Sequence, residues 1–115
     1  MSIWGHQAGA SMDADTAARE AEANGAQLID LGEPRDWFAG HVHGARLVEP
    51  ELLDMEFATL DKGKRVIVIG RSPEGAAAAS ALLHQHGFDV CSVEGGVAAW
   101  KAAGHPMVKA DGRPA

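Results

Sequence analysis

The chain has 115 residues, enough for one domain and too few for two. Hydrophobic residues make up 46% and charged residues 23%, which is ordinary globular usage, and a net charge of -6 argues against binding nucleic acid or docking on an anionic membrane. No apolar run approaches the roughly 20 residues of a membrane helix, Met1 to Ala10 lacks the pattern of a signal peptide, and the single cysteine, Cys91, excludes an internal disulfide and a cysteine-rich zinc site, so the expected setting is the cytoplasm.

Residues 1–10 read as a loose arm of small residues and histidine, with a short strand near Met12. Asp13 and Asp15 offer N-caps for an alanine-rich helix over Thr16 to Asn24, and Gly25 supplies its stop. Leu28 to Leu31 is a compact apolar run, read as a buried strand. Gly32-Glu33-Pro34 breaks it, and Pro34 suits the first position of a short helix through Ala39. Gly40 to Gly44 reads as a turn and Ala45 to Val48 as a short strand. Pro50 opens an amphipathic helix reaching Leu60, and Asp61 to Lys64 is a charged turn. Val66-Ile67-Val68-Ile69 is the strongest strand, and four successive β-branched residues imply cover on both faces, as in a parallel sheet. Gly70 to Gly75 is a loop, Ala76 to His86 a helix closed by Gly87, and Phe88 to Val93 a strand. After Glu94-Gly95-Gly96 comes a last helix, Val97 to Ala103, stopped by Gly104 and Pro106. Met107 to Ala115 reads as a frayed end. The domain is placed at residues 11–108, between an N-terminal arm over 1–10 and a C-terminal tail over 109–115.

Strands alternating with helices imply a three-layer α/β domain with a central, mostly parallel five-stranded sheet and right-handed crossovers. Ligands of such sheets sit at the carboxyl ends of the strands. The loops to inspect therefore follow Leu31, Ile69 and Val93.

At those loops the sequence resembles the rhodanese-like domain family. Leu28-Ile29-Asp30-Leu31-Gly32-Glu33-Pro34, with Gly40-His41-Val42-His43-Gly44-Ala45 beyond it, is similar to the family's first signature, LIDVREPxEFxxGHIPGA. Glu94-Gly95-Gly96-Val97-Ala98-Ala99-Trp100 is similar to its closing signature, EGGxxAW. The resemblance covers about residues 11 to 108 and implies sulfur transfer through a cysteine persulfide, with no cofactor. That cysteine begins a loop resembling C-R-S-G-N-R-S, in which a helix N-terminus, cationic neighbours and backbone N–H groups favour the thiolate and cradle anionic sulfur.

Here the corresponding loop is Gly70-Arg71-Ser72-Pro73-Glu74-Gly75-Ala76. By the resemblance, Gly70 holds the nucleophile position and has no side chain to attack with. Pro73 replaces a glycine and removes one N–H. Glu74 brings a negative charge, and Gly75 stands where a second arginine often sits. In the first signature Gly32 replaces an arginine and His43 a proline. The expected pocket rim is Asp30, Gly32, Glu33 and His43 beside this loop.

Other chemistry-bearing residues have ordinary readings. Cys91 lies inside a strand and reads as a small buried hydrophobe, against the alternative of a relocated nucleophile. His41 and His43, or His84 and His86, could help hold a metal, but His84 and His86 are two apart on a helix and point away from each other, so no metal site is expected. Asp30 reads as a partner of backbone groups near the loop, Glu33 as a helix cap, and Trp37 and Trp100 as core anchors. Trp4 is a contact residue of the arm or simply loose. The function expected is a non-catalytic binding or regulatory module whose partner is an unknown protein or small polar ligand, acting as a monomer or weak dimer. The alternative is a sulfurtransferase using Cys91 or a partner's thiol.

Overall fold

The computed structural model describes residues 10–115, so residues 1–9 of the expected arm, with Trp4, lie outside the described residues. Its elements are β1 (Ser11–Met12), α1 (Ala14–Asn24), β2 (Gln27–Leu31), α2 (Pro34–Ala39), β3 (His41–Val42), β4 (Arg46–Val48), α3 (Leu53–Glu56), β5 (Val66–Ile69), α4 (Pro73–Gln85), β6 (Val90–Val93), α5 (Gly96–Ala102) and β7 (Met107–Val108). Local chemistry accounts for most boundaries. Asp13 caps α1 by accepting the Thr16 N–H at 2.8 Å, and Gly25, at φ +68°, ends it in the left-handed conformation. Pro34 and Pro73 open α2 and α4, where a missing N–H costs nothing.

Five strands form one sheet in the order β1-β6-β5-β2-β4, and every pairing is parallel. β5 lies at its centre and is buried along its whole length. Because side chains alternate across a strand, Val66 and Val68 enter one core with Ile29, Leu83 and Phe88, under α3 and α4. Ile67 and Ile69 enter the other, with Leu28, Val97 and Trp100, under α1 and α5. The run of four β-branched residues thus has cover on both faces.

Four expectations need correction. The turn expected over Gly40 to Gly44 contains β3, which pairs antiparallel with β7, His41 opposite Val108. The end expected to fray folds back instead: Lys109 N–H donates to Arg113 O at 2.7 Å and Ala115 N–H to Met107 O at 3.1 Å. Two-residue strands have no periodicity to read, and their partner is far along the chain. The helix expected from Pro50 to Leu60 is one turn of α3 between 3-10 turns at Pro50–Leu52 and Phe57–Thr59. There the Thr59 hydroxyl donates to Glu56 O at 2.7 Å, competing with the helical ladder. Trp37 is half-buried rather than a core anchor, and stacks on the His41 ring with centroids 3.3 Å apart. Trp100 does anchor the core, with its indole N–H on Pro106 O at 3.1 Å.

Candidate functional site

The carboxyl end of β5 delivers Gly70 to the top of the sheet, between the start of α4 and the start of α5. Its carbonyl oxygen accepts the Val97 N–H at 2.9 Å, tying the two helix starts together. This approach requires glycine at position 96, which has φ +58° and whose Cβ would fall on that same oxygen. Packing against Gly70 is also close on its other side. A Cβ there would stand 2.9 Å from Ala76 Cβ and 3.2 Å from Ser72 O. The cavity beside Gly70 holds about 350 Å³ and is bounded by Arg71, Ser72 and Pro73 on one wall and by Ser92 to Gly96 on the other.

The loop expected over Gly70 to Gly75 ends at Ser72, because α4 already begins at Pro73. Ser72 is its N-cap, and its hydroxyl accepts the Gly75 N–H at 3.1 Å. The Ala76 N–H donates to Ser72 O at 3.1 Å. Pro73 has no N–H to offer, so the donors an anion would need at this helix start are reduced by one and partly used within the turn. Glu74 adds a negative charge in that same first turn.

Arg71 turns away from this cradle. Its guanidinium donates from Nη2 to Asp30 Oδ2 and to Gly40 O, each at 3.2 Å. The side chain passes over Gly32, where a Cβ would lie 2.7 Å from Arg71 Nε. An arginine at position 32 could not share that space, so the glycine there and the inward Arg71 are one arrangement. Asp30 is fully buried; the Val42 N–H also donates to its Oδ2, at 3.4 Å, while Oδ1 has no partner among the described residues. Burial raises the Asp30 pKa above the ordinary carboxylate value, and the Arg71 charge opposes the rise. Asp30 is thus a backbone and arginine partner, anchoring β3 and the β5–α4 loop to β2.

Of the residues expected at the rim, Gly32 and Glu33 border a separate cavity of about 300 Å³ that Arg71, Ser72 and Gly75 also line. Glu33 caps α2 by position and pairs with Arg35 at 3.3 Å, while its own N–H donates to Asp36 Oδ2 at 3.3 Å. His43 does not join them. It lies on the α1 side of the sheet, at a cavity of about 530 Å³ shared with Arg19, Trp100 and His105. A turn residue's distance from the loop cannot be read from its place in a motif, and β3 carries His43 past the site. At that same cavity His105 Nε2 meets Asp15 Oδ1 at 2.7 Å, a contact between residues 90 apart with no sequence signal. Cys91 sits in β6 opposite Ile67, 4% exposed, with its thiol pKa raised by burial. No group of three or more potential metal ligands occurs among the described residues. No helix among them is long and apolar enough to cross a membrane.

The chain is 30% identical over 86 residues to the thiosulfate sulfurtransferase GlpE of Pseudomonas aeruginosa strain LESB58, covering 74% of this chain and 78% of that protein. It is 27% identical over 95 residues to a sulfurtransferase of Allochromatium vinosum, covering 82% and 89%. Among solved structures, a rhodanese-related protein from Thermoplasma volcanium superposes with TM-score 0.78 and 26% identity over 86% of this chain and 97% of that one. A thiosulfate sulfurtransferase from Pseudomonas aeruginosa gives TM-score 0.80 and 25% identity, over 88% of this chain and 19% of that one. The family model for the rhodanese-like domain matches residues 13–103, and with the all-parallel sheet and both signature loops in place the chain belongs to the rhodanese-like domain family.

Proposed function

We propose that Gly70 occupies the nucleophile position and that this domain works as a binding or regulatory module without sulfur transfer. One observation carries the reading. The loop at the carboxyl end of β5 offers no thiol, and Cys91 is buried in β6 with a raised pKa that disfavours the thiolate. Three features of the loop agree with it: Pro73 lacks an N–H, Glu74 repels anions, and the Arg71 charge is committed to Asp30. A mixed-charge pocket of about 350 Å³ suits a small polar ligand or a peptide segment better than a small dianion. The purified domain should give no thiocyanate from thiosulfate and cyanide above buffer. Turnover that vanishes in Cys91→Ser would overturn the reading.

The names of the relatives favour a second reading, sulfur transfer with a thiol from Cys91 or from a partner. A thiol reagent separates the Cys91 form of it: in the native state Cys91 should stay unmodified, whereas a working nucleophile reacts.

A further inference from the structure

The exposed large apolar side chains among the described residues are Phe38, Leu52 and Met55, at 64%, 43% and 73% exposure. All three fall between α2 and the end of α3. The same stretch, residues 33–56, holds six carboxylates and only two arginines, so it carries four of the chain's six excess negative charges. Arg35 pairs with Glu33 at 3.3 Å, and Arg46 donates to the Thr59 hydroxyl at 2.7 Å. Glu49, Glu51, Asp54 and Glu56 make no ion pair among the described residues.

The fold brings the two halves of this stretch together. A cavity of about 300 Å³ has Arg35 and Asp36 of α2 on one lip and Pro50 and Glu51 on the other. Phe38 lies three residues after Arg35 on α2, and Leu52 and Met55 lie on the 3-10 turn and on α3 that follow from Pro50, so the exposed apolar side chains stand on the two stretches that form the lips. The result is an acidic face with exposed apolar side chains on both elements that border the cavity, whose lining holds Glu51 without an ion pair beside Arg35 and Arg71, each already paired with a carboxylate.

We propose that this groove docks a basic, amphipathic segment of another protein, its apolar side chains seated between Phe38, Leu52 and Met55 and its lysines or arginines facing Glu49, Glu51 and Asp54. Charge complementarity selects this occupant. A second copy of the chain would bring the same acidic face, and nucleic acid or an anionic membrane would be repelled. The groove lies beside the Gly70 cavity without including Gly70, so docking and sulfur transfer are tested independently.

The probe is a synthetic Lys/Leu peptide of about 14 residues, four turns of one-faced amphipathic helix, titrated into the isotope-labelled domain at about 150 mM salt. The expected result is saturable binding with amide shifts concentrated in residues 33–39 and 49–56. Affinity should fall roughly tenfold in Phe38→Ser/Met55→Ser and in Glu51→Gln/Asp54→Asn, as for truncated interface anchors and their charged rim. A Glu/Leu peptide of the same layout should not bind. The proposal is overturned by an absence of saturable binding, by shifts spread over acidic residues elsewhere such as Glu20 and Glu94, or by affinity unchanged in both double variants. Self-association of the free domain that is lost in Phe38→Ser/Met55→Ser would also overturn it, assigning the groove to a second copy.

Discussion

Gly70→Cys puts a thiol where the resemblance places the nucleophile, and the structure states what that substitution meets. The new Cβ would lie 2.9 Å from Ala76 Cβ, closer than side-chain carbons normally approach, so the start of α4 must shift. Overpacking of this kind costs about 1–3 kcal/mol, which the urea midpoint of unfolding reads directly. Adding Ala76→Gly removes the opposing methyl and should return part of that loss, although glycine in a helix itself costs up to about 1 kcal/mol. The α4 N-terminus favours a nearby anion by about 0.3–1 kcal/mol, equivalent to roughly 0.2–0.7 pH units of thiol pKa. Glu74 works against it. Alkylation against pH should therefore show the new thiol titrating slightly below the reference of about 8.5, with little thiocyanate production, since Arg71 is held on Asp30. Adding Glu74→Asn and Gly75→Arg to Gly70→Cys removes the repelling charge, supplies a cation and should raise turnover well above the single variant. A thiol that titrates at or above the reference, together with a triple variant as inert as the single one, would show that this loop is no sulfur cradle and that Gly70 is not at the catalytic position.

Two further outcomes follow from Arg71 and Asp30. Thiosulfate or sulfate should not raise the melting temperature specifically, because a ligand stabilises only what it binds and Arg71 is occupied; a saturable rise lost in Arg71→Ala would refute this. Asp30 has a folded-state pKa above its unfolded value of 3.8, so the native state holds its proton more tightly across the interval between the two. Wild-type stability should therefore fall relative to Asp30→Asn as pH rises through that interval, and recover as pH is lowered through the folded pKa towards 3.8. Urea midpoints of both proteins, followed downward from pH 7, read the gap; a gap moving against wild type on acidification would refute the burial argument.

The parallel α/β layout was legible because its signals are local. Asp13, Gly25, Pro34 and Val66 to Ile69 each act through the few residues around them, by capping, by a fixed φ, or by demanding cover on two faces. Both signature loops were legible for the same reason, since a strand end and a helix start are set by neighbours in the chain. The early start of α4 at Pro73, capped by Ser72, is masked in the sequence because Gly70, Pro73 and Gly75 together read as loop residues. The β3–β7 pairing left no trace, since two residues carry no period and His41 and Val42 pair with Val108 and Met107 at the far end of the chain, and the folded-back tail has no periodic apolar pattern to announce it. The direction of Arg71 was equally hidden. A guanidinium on a long, flexible stem can face the cavity or the sheet, and its place in the sequence is the same for both. Here it lies over Gly32 and on Asp30, 41 residues away, because that glycine leaves the space and that buried carboxylate needs a cation, and both conditions exist only once β2 and β5 lie side by side.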